Sequence, residues 1–447
     1  MDFVALREQY KEFLYKGFCC EAEEGAYKVT YSYEISGLSD FETVWRFPDA
    51  GRAVNKEILN RLFFELGMAE AVSYWKCACP KVLKVECGTL TAWQKRWWRK
   101  LFYNGLGEFM YRNGIEVSEE ELLTIVCEEA PVEKLPDYGV YKGCLVPVGG
   151  GKDSVVSMEV LKDRDVTVYR INKDATVANV LEASGRNYRT CFVNRKLDAR
   201  ILEMNRRGLL NGHIPFSSVV AFSTYIAAYL QGIRYIALSN ESSANESTVV
   251  GSFVNHQYSK SYEFEQDFME YIGSIMEPKI RYFSLLRPLS ELQIAFLFSG
   301  YERYHRALRS CNAGSKQGIW CCNCPKCLFV YIILSPFLSE ERLVEIFGDN
   351  LLDAERNEKY FRELTGLDEN KPFECVGTRR EVILSLKTYL KSGGTALLPK
   401  KYSEWILAQE GDMDEALAEW NDKNSVPEEL LTVVRKELAD RSGVWIS

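Results

Sequence analysis

The spacing of hydrophobic residues predicts strands and helices in the first third of the chain. Residues 27–34 alternate between Tyr or Val and polar residues, which is the period of a half-buried antiparallel strand. Apolar residues recur at helical spacing over 58–66, and a tryptophan stripe over 93–101 lies opposite a row of lysines and arginines. Residues 1–140 are therefore predicted to form an aromatic-rich α+β domain. Its last part, Cys127–Tyr141, is acidic, contains two prolines and is predicted to be a linker.

A second pattern, in which short apolar runs alternate with helical ones, extends from about residue 141 to 345. Predicted strands cover Leu145–Val148, Val166–Ile171 and Tyr235–Leu238, and predicted helices cover Val155–Lys162 and Val219–Leu230. This alternation is typical of an α/β fold with a doubly wound parallel sheet, which binds its ligands beyond the carboxyl ends of the strands. Polar strings follow the three predicted strands at Gly149–Ser154, Asn172–Asp174 and Ser239–Ser242. We therefore expect a binding site where these strings meet.

The C-terminal region, residues 346–447, is polar and predicted to be mostly helical. One helix near its end is predicted to be capped by Ser425. Pro427, Glu428 and Glu429 would then occupy its first turn, where proline is tolerated and negative charge is favourable.

The composition fits a soluble enzyme with sizeable cores. The 447 residues are 47% hydrophobic and carry a net charge of −8, which disfavours a function in nucleic-acid binding. The sequence has no run of about 18 apolar residues and Met1–Gly17 carries charges throughout, so we expect neither a membrane span nor a signal peptide. The 14 cysteines are then expected to be reduced thiols or metal ligands in a cytoplasmic protein. The sequence leaves the oligomeric state open.

Three glycines followed by Lys152, Asp153 and Ser154 come directly after the first of these predicted strands. Glycines let the backbone approach an oxyanion, and the following helix N-terminus directs N–H groups at it, so the string predicts a phosphate-binding loop. Its glycine spacing excludes a Walker A loop. The string instead resembles the Ser-Gly-Gly-x-Asp-Ser loop of the PP-loop ATP pyrophosphatases, with Gly149 in place of the first serine. Enzymes of that superfamily cleave ATP between its α- and β-phosphates.

Five cysteines are concentrated between residues 311 and 327. Cys321, Cys324 and Cys327 have the spacing of ligands to a tetrahedral zinc ion, and Cys311 is available as the fourth ligand. Some PP-loop enzymes carry a similar four-cysteine zinc site. The same residues are equally consistent with the start of a buried helix, because Cys is a common small core residue. The sequence leaves structural zinc and core packing as two open interpretations.

Longer polar strings between about residues 140 and 380 give a more specific resemblance. They are Leu210–Pro215, Ser239–Ala244, Val254–Ser261, Leu286–Leu292, Ser310–Asn312 and Lys371–Thr378. Together with the phosphate loop, and in this order, they closely resemble the UDP-N-acetylmuramoyl-L-alanyl-L-glutamate epimerase family (MurL). The resemblance implies an isomerase of peptidoglycan precursor synthesis. Such an enzyme inverts the terminal L-glutamate of a UDP-MurNAc-dipeptide, using ATP and Mg²⁺ and releasing AMP and pyrophosphate.

The same resemblance assigns a cofactor site to individual residues. The β- and γ-phosphates of ATP would be held by Gly149, Gly150, Gly151, Lys152 and Ser154. Asp153 would face Mg²⁺, while Ile171 and Asn172 lie where the superfamily contacts adenine. Ser239 and Asn240, in the string after the third predicted strand, complete the expected cofactor site.

Inversion of a Cα centre needs a base on each face or one mobile base. His213 and His256 are candidates, because both lie in polar strings at the expected mouth of the sheet and histidine titrates in a useful range. Cys375 with Glu374 is a competing pair, since a partly ionised thiol is also a suitable base. His305, in a basic and aromatic run, is predicted to be structural.

Charged residues in the same strings are expected to hold the substrate. Arg287 and Lys260 are predicted partners for the substrate carboxylates or the acyl phosphate, with Arg287 offering a bidentate fork. Glu241 is grouped with the catalytic residues because it belongs to the string after the third predicted strand.

Two other functions remain compatible with a PP-loop enzyme. One is the sulfur or base modification of tRNA, which the acidic net charge disfavours. The other is amide formation, in which an amine captures the adenylate. Analysis of the reaction product distinguishes that activity from an epimerase.

Overall fold

The structure, a computed structural model, describes most of the chain. The described residues are 2–129, 133–245, 258–311, 313–314, 318–372, 374 and 376–442. Two of the candidate bases, His256 and Cys375, lie outside the described residues.

The strands of the described residues form one sheet of ten. They are β1 (Glu12–Glu23), β2 (Ala26–Ile35), β3 (Ser39–Pro48), β4 (Val82–Val85), β5 (Thr124–Val126), β6 (Cys144–Pro147), β7 (Val166–Ile171), β8 (Arg189–Lys196), β9 (Tyr235–Leu238) and β10 (Arg281–Ser284). Their order is β10-β9-β6-β7-β8-β3-β2-β1-β4-β5. Pairing is parallel from β10 to β8, antiparallel from β8 to β1, and parallel again from β1 to β5. The predicted α/β class is thus confirmed as a mostly parallel sheet with an antiparallel section, and all four predicted strands are present.

Nineteen α-helices are assigned within the described ranges. They are α1 (Phe3–Gln9), α2 (Lys56–Trp75), α3 (Ala92–Gly105), α4 (Gly107–Arg112), α5 (Glu119–Leu122), α6 (Lys152–Val160), α7 (Ala175–Ser184), α8 (Arg200–Arg206), α9 (Phe216–Gln231), α10 (Tyr262–Ile275), α11 (Glu291–Ser299), α12 (Pro325–Leu334), α13 (Glu340–Phe347), α14 (Glu358–Thr365), α15 (Arg379–Lys391), α16 (Leu397–Lys401), α17 (Ser403–Ala408), α18 (Met413–Ala418) and α19 (Glu428–Ser442). The helices predicted over 58–66, 93–101, 155–162 and 219–230 correspond to α2, α3, α6 and α9.

Ser425, the predicted cap of the last helix, does not lie at the start of that helix in the structure. Helix α19 begins at Glu428, so Ser425 lies ahead of it. The Ser425 hydroxyl instead accepts a hydrogen bond from the amide of Gln266 on α10. The side chain is therefore used to attach α19 to its neighbour, while Glu428 and Glu429 lie in the first turn as predicted.

Both faces of the parallel part of the sheet are covered. Leu145 and Tyr169 belong to a core that includes α2, α3, α9 and α10. Val146 and Val168, which point to the other face, belong to a second core with α6, α11, α12 and α15. Strands buried on both faces are continuously apolar, which is why these runs do not alternate with polar residues.

The aromatic residues of the N-terminal region seal β2 against α2. Tyr31 donates a hydrogen bond to the carbonyl of Phe63 at 3.0 Å, and Tyr33 donates one to the carbonyl of Gly67 at 2.7 Å. A Cβ at Gly67 would lie 1.9 Å from the Tyr15 hydroxyl, so this close helix–strand contact requires glycine. The N-terminal strands continue the parallel section of the sheet through the antiparallel pairing of β3 with β8.

Part of the predicted linker packs against the rest of the protein. Leu135 forms a parallel bridge with Met276. Asp137 is buried and accepts a hydrogen bond from the Tyr141 hydroxyl at 2.7 Å. The last residues before β6 are therefore held in place by their own contacts.

No helix within the described ranges has both the length and the apolar character that crossing a bilayer requires.

Candidate active site

The predicted phosphate loop connects β6 to the N-terminus of α6, at the carboxyl end of the parallel strands. Gly150 has φ +84° and a Cβ there would meet Thr176 at 2.3 Å, so glycine is required. Gly151 is the N-cap of α6 and has no side chain to occupy the helix N–H groups. The Ser154 hydroxyl donates to the Gly151 carbonyl at 3.0 Å. The loop therefore presents backbone N–H groups to an anion at a helix N-terminus.

Lys152 lies beneath the loop and forms ion pairs with two carboxylates. It is 2% exposed and contacts Asp153 and Glu291. Burial would lower the pKa of Lys152, but the two carboxyl groups outweigh it and raise that pKa. Burial raises the pKa of Glu291, while Lys152 holds the pKa of the more exposed Asp153 below its ordinary value despite its desolvation. Of these two carboxylates, Asp153 is the one at the surface that is available to a cation.

Two adjoining cavities open above the loop. The first has a volume of about 340 Å³ and is lined by Gly149, Gly151, Asp153, Ser154, Ser239, Asn240, Glu241, Lys260, Glu291, Ser310 and Lys326, among others. The second, of about 300 Å³, is lined by Gly149, Arg170, Ile171, Asn172, Arg195, Phe216 and Val220, among others. Pro147, Gly149 and Val220 line both cavities. Together the two cavities can accept a polyanion on one side and a planar base on the other.

The second cavity is built from the ends of β7 and β8. Asn172 has φ +57°, and its side chain accepts from the N–H of Arg195 and donates to the carbonyl of Arg195. Arg195 is held by a bidentate pair with the buried Glu70 of α2 and packs over the Phe216 ring at 5.4 Å. The hydrogen bonds of the Asn172 amide therefore join the ends of β7 and β8 at the edge of the second cavity. Phe216, which is 40% exposed, presents an aromatic face to that cavity.

The string after β9 is fixed mainly by Arg287. This arginine is fully buried, pairs with Glu265 and donates to the carbonyls of Glu241 and Lys260. The structure thus places Arg287 beneath the site, where it positions two cavity residues, and not at the surface where a substrate carboxylate would bind. The sequence predicts that Arg287 contacts the substrate directly, and the buried position of this residue does not agree with that expectation. The Glu241 and Lys260 side chains do line the first cavity.

The remaining cofactor candidates of this string have side-chain partners around the same cavity. Ser239 exchanges a hydrogen bond with Ser157 at 2.7 Å. Asn240 donates to the Ser284 hydroxyl at 2.9 Å. Both residues line the first cavity, and their contact with a cofactor stays a prediction.

His213 lies in the loop before α9, close to but not lining the two cavities. Its Nδ1 is 3.7 Å from a carboxylate oxygen of Glu108. Lys76 fixes the loop by donating to the Asn211 side chain and to the Gly212 carbonyl at 2.7 Å. Burial, followed by the positive charges of Lys260 and Lys76, lowers the pKa of His213 to about 4. The imidazole is therefore neutral at pH 7, and in this surrounding it is a weaker base than an exposed histidine.

The string that contains Cys375 also reaches this region. Among its described residues, a Cβ at Gly377 would lie 3.0 Å from Cγ of Glu291. The nearby Glu381 accepts a hydrogen bond from the N–H of Glu291 at 2.7 Å. Glu374 is partly buried next to this segment. The predicted Cys375–Glu374 pair stays a prediction, because Cys375 lies outside the described residues.

Four of the clustered cysteines converge, and the fifth does not. The sulfur atoms of Cys311, Cys321, Cys324 and Cys327 all lie within 4.8 Å of one another. Cys322 points elsewhere, with its thiol donating to the carbonyl of Phe347 at 3.2 Å. Four mutually adjacent thiols at the start of α12 are a set that can hold a tetrahedral metal ion.

Several cavity residues were not identified from the sequence. Glu291 lies in one of the recognised strings, so its position could have suggested a role. Lys326 lies inside the Cys-x-x-Cys spacing and was overlooked because the cysteines explained that segment. Ser310 begins another of the recognised strings, whereas Arg195 and Phe216 join the second cavity only through tertiary contacts. His305 is buried and accepts a hydrogen bond from Arg342, in agreement with its predicted structural role.

Comparisons with known proteins agree on one family. The family model of the MurL N-terminal domain matches residues 5–285, and that of the MurL C-terminal domain matches residues 307–396. A protein of Xanthomonas oryzae pv. oryzae (strain MAFF 311018), named UDP-N-acetyl-alpha-D-muramoyl-L-alanyl-L-glutamate epimerase, is 34% identical over 84% of this chain and 85% of its own length. A Micromonospora protein of the same name is 36% identical over 73% of this chain and 74% of its own. No solved structure matches significantly.

Proposed function

The chain belongs to the MurL family of UDP-N-acetylmuramoyl-L-alanyl-L-glutamate epimerases, and we propose that it inverts the terminal glutamate of that nucleotide-linked dipeptide in an ATP-dependent reaction. The observation that supports ATP as co-substrate is the glycine loop at the N-terminus of α6, which opens into the two joined cavities. Family membership favours the epimerase over tRNA modification and over amide formation.

The chemistry gives a reason for combining a phosphate loop with a Cα base. A Cα proton next to a carboxylate is weakly acidic, because its removal adds a second negative charge to an anion. When the carboxylate oxygen attacks the α-phosphorus, pyrophosphate leaves and the glutamate becomes an acyl adenylate. The carbanion formed from this adenylate is delocalised as an enolate and is reprotonated on the opposite face. Hydrolysis of the anhydride then releases AMP and makes the inversion irreversible.

The residues of the first cavity suit the activation step. The N–H groups of the loop, with Ser154, would hold the β- and γ-phosphates. Asp153 would hold Mg²⁺, which binds proteins through one or two carboxylates together with substrate phosphates. Adenine would occupy the second cavity, between Ile171, Asn172 and Phe216. Every predicted cofactor residue except Gly150 and Lys152 lines one of the two cavities. Gly150 and Lys152 would instead support the shape of the loop.

Of the two candidate histidine bases, His213 is the one that lies within the described residues, and we assign it first. The imidazole of His213 is neutral at pH 7. Lys260, whose positive charge acts on His213, also lines the first cavity. Lys260 would stabilise the enolate or the acyl phosphate by its positive charge. A second base on the other face would come from the remaining candidates, His256 or the Cys375–Glu374 pair.

The nucleotide product tests the activation step. With ATP, Mg²⁺ and UDP-MurNAc-L-Ala-L-Glu, the protein is expected to form AMP and pyrophosphate, because the loop would hold the leaving pyrophosphate. Formation should depend on the dipeptide nucleotide and should be negligible with UDP-MurNAc-L-Ala, which lacks the glutamate. Identification of ADP and phosphate as the products would contradict the proposal.

We expect the four converging thiols to bind about one structural zinc ion per chain, since their number and proximity fit a closed tetrahedral site. Metal analysis of the purified protein measures this. Cys324→Ser should lose most of the zinc, whereas Cys322→Ser is the matched control and should keep it, because that thiol points to Phe347. Equal zinc contents in the two variants, or a metal-free wild type that stays folded and active, would leave the cluster as core packing.

A further inference from the structure

The four-thiol cluster lies directly behind a wall of the first cavity. Cys324 is the N-cap of α12, and its sulfur accepts the N–H of Cys327 at 3.4 Å. Lys326 lies between these two cysteines in the first turn of the helix and lines the cavity together with Asp153 and Ser154. The Cys324 sulfur therefore caps the helix turn whose backbone carries a cavity lysine.

The segment that carries Cys311 also reaches the first cavity. Cys311 follows Ser310, which lines the cavity and whose buried hydroxyl oxygen has no hydrogen-bond partner among the residues that the structure describes. A Cβ at Gly151 would lie 3.3 Å from Cβ of Ser310, and the N–H of Arg309 donates to the Gly150 carbonyl at 3.0 Å. The segment before Cys311 is thus attached to the phosphate loop by direct contact.

Among the described residues, Lys326 is one of two positive charges in a cavity that also contains three carboxylates. Three carboxylates, Asp153, Glu241 and Glu291, line it, and the lysines in the same lining are Lys260 and Lys326. The charge of Lys326 acts on both Asp153 and Glu291. A polyphosphate entering this acidic surrounding needs cations close to its terminal oxygens, in addition to Mg²⁺.

We propose that Lys326, with Ser310, binds the terminal phosphates of ATP and the pyrophosphate that leaves, and that the cysteine cluster positions both residues for this contact. The inference rests on the proposed ATP-dependent function and extends it to residues outside the glycine loop. Lys326 is then a substrate-binding residue, while the four cysteines are positioning residues. This accounts for a metal-binding set at this place in the fold, next to the phosphate loop.

Binding of inorganic pyrophosphate with Mg²⁺, measured by calorimetry on the full chain, tests the proposal without requiring turnover. Lys326→Met should raise the Kd for pyrophosphate about 10- to 100-fold, the loss expected for a charged hydrogen bond. Lys326→Arg should stay closer to the wild-type Kd, because it keeps the positive charge. Asn323→Ala, an exposed residue of the same loop, is the control and should bind as the wild type does.

Two further measurements separate binding from general damage to the protein. The Lys326→Met variant should keep the wild-type metal content and melting temperature, and in turnover it should raise the KM for ATP more than it lowers kcat. Cys321→Ser should weaken pyrophosphate binding although Lys326 is intact; if this variant does not fold, the Lys326→Met result decides.

An unchanged Kd for pyrophosphate in Lys326→Met would overturn the proposal, even if the protein proves to be an active epimerase. A wild type that fails to bind pyrophosphate would overturn it as well. If Lys326→Met weakens binding but no epimerase activity is found, the assignment of Lys326 stands and the proposed reaction falls.

Discussion

Asp153→Asn is expected to lower the rate of AMP formation about 100-fold or more while leaving the folded state intact. The side chain is 29% exposed and lines the first cavity, and its carboxylate is the proposed ligand of Mg²⁺ on the phosphates. Asp153→Asn would weaken the hold on Mg²⁺, which neutralises the developing charge on the phosphates, and losing electrostatic stabilisation of that kind costs about 100- to 1,000-fold in rate. The measurement is pyrophosphate release with saturating ATP and the dipeptide nucleotide.

Lys152 provides the contrast, because it is buried. Lys152→Met should also abolish AMP formation, but it should in addition lower the free energy of unfolding by roughly 3–5 kcal/mol, since Glu291 loses its cation in the interior. The double variant Lys152→Met/Glu291→Gln removes that unpaired charge and should recover part of the stability without recovering activity. Wild-type rates of AMP formation in Asp153→Asn would contradict the assignment of the loop to ATP.

His213→Asn is expected to separate the two halves of the reaction. Loss of the base should lower inversion by about 100-fold or more, the range of general-base contributions. AMP should still form, because His213 lies outside the cavity lined by the phosphate loop. In deuterated water the wild type should place deuterium at Cα of the D-glutamate product, and the variant should incorporate little. The measurements are chiral analysis and mass spectrometry of the released glutamate.

The third histidine gives a matched control for this experiment. His305 is buried beside Phe298 and hydrogen-bonded to Arg342. His305→Gln should therefore keep both AMP formation and inversion at temperatures where the variant is folded. If His213→Asn inverts glutamate at the wild-type rate, the base lies elsewhere, and His256 and Cys375 are the next residues to replace.

The parts of the fold that local sequence determines were predictable. The glycine loop was recognised because three glycines between a strand and a helix have a physical meaning that does not depend on distant residues. The four thiols were recognised in the same way, since ligand spacing within α12 and its preceding loop is local. The alternation in β2 and the stripes of α2 and α3 fixed those elements for the same reason.

What the sequence did not reveal depends on contacts between distant segments. Arg287 was expected at the substrate, but its pairing with Glu265 and two backbone carbonyls places it in the interior. The continuation of the sheet from β8 to β3 arises from a pairing between residues about 150 positions apart, which no local pattern encodes. Lys326 gained its place at the cavity through the same kind of long-range packing.

The stereochemistry of the product tests the central claim most directly. The protein is incubated with ATP, Mg²⁺ and UDP-MurNAc-L-Ala-L-Glu, the nucleotide product is hydrolysed, and the glutamate is resolved by chiral chromatography. We expect D-glutamate in an amount that matches the AMP formed and exceeds an equal mixture of the two forms, because hydrolysis of the adenylate drives the inversion. Recovery of L-glutamate alone while AMP accumulates, or equal inversion when ATP is omitted, would contradict an ATP-dependent epimerase.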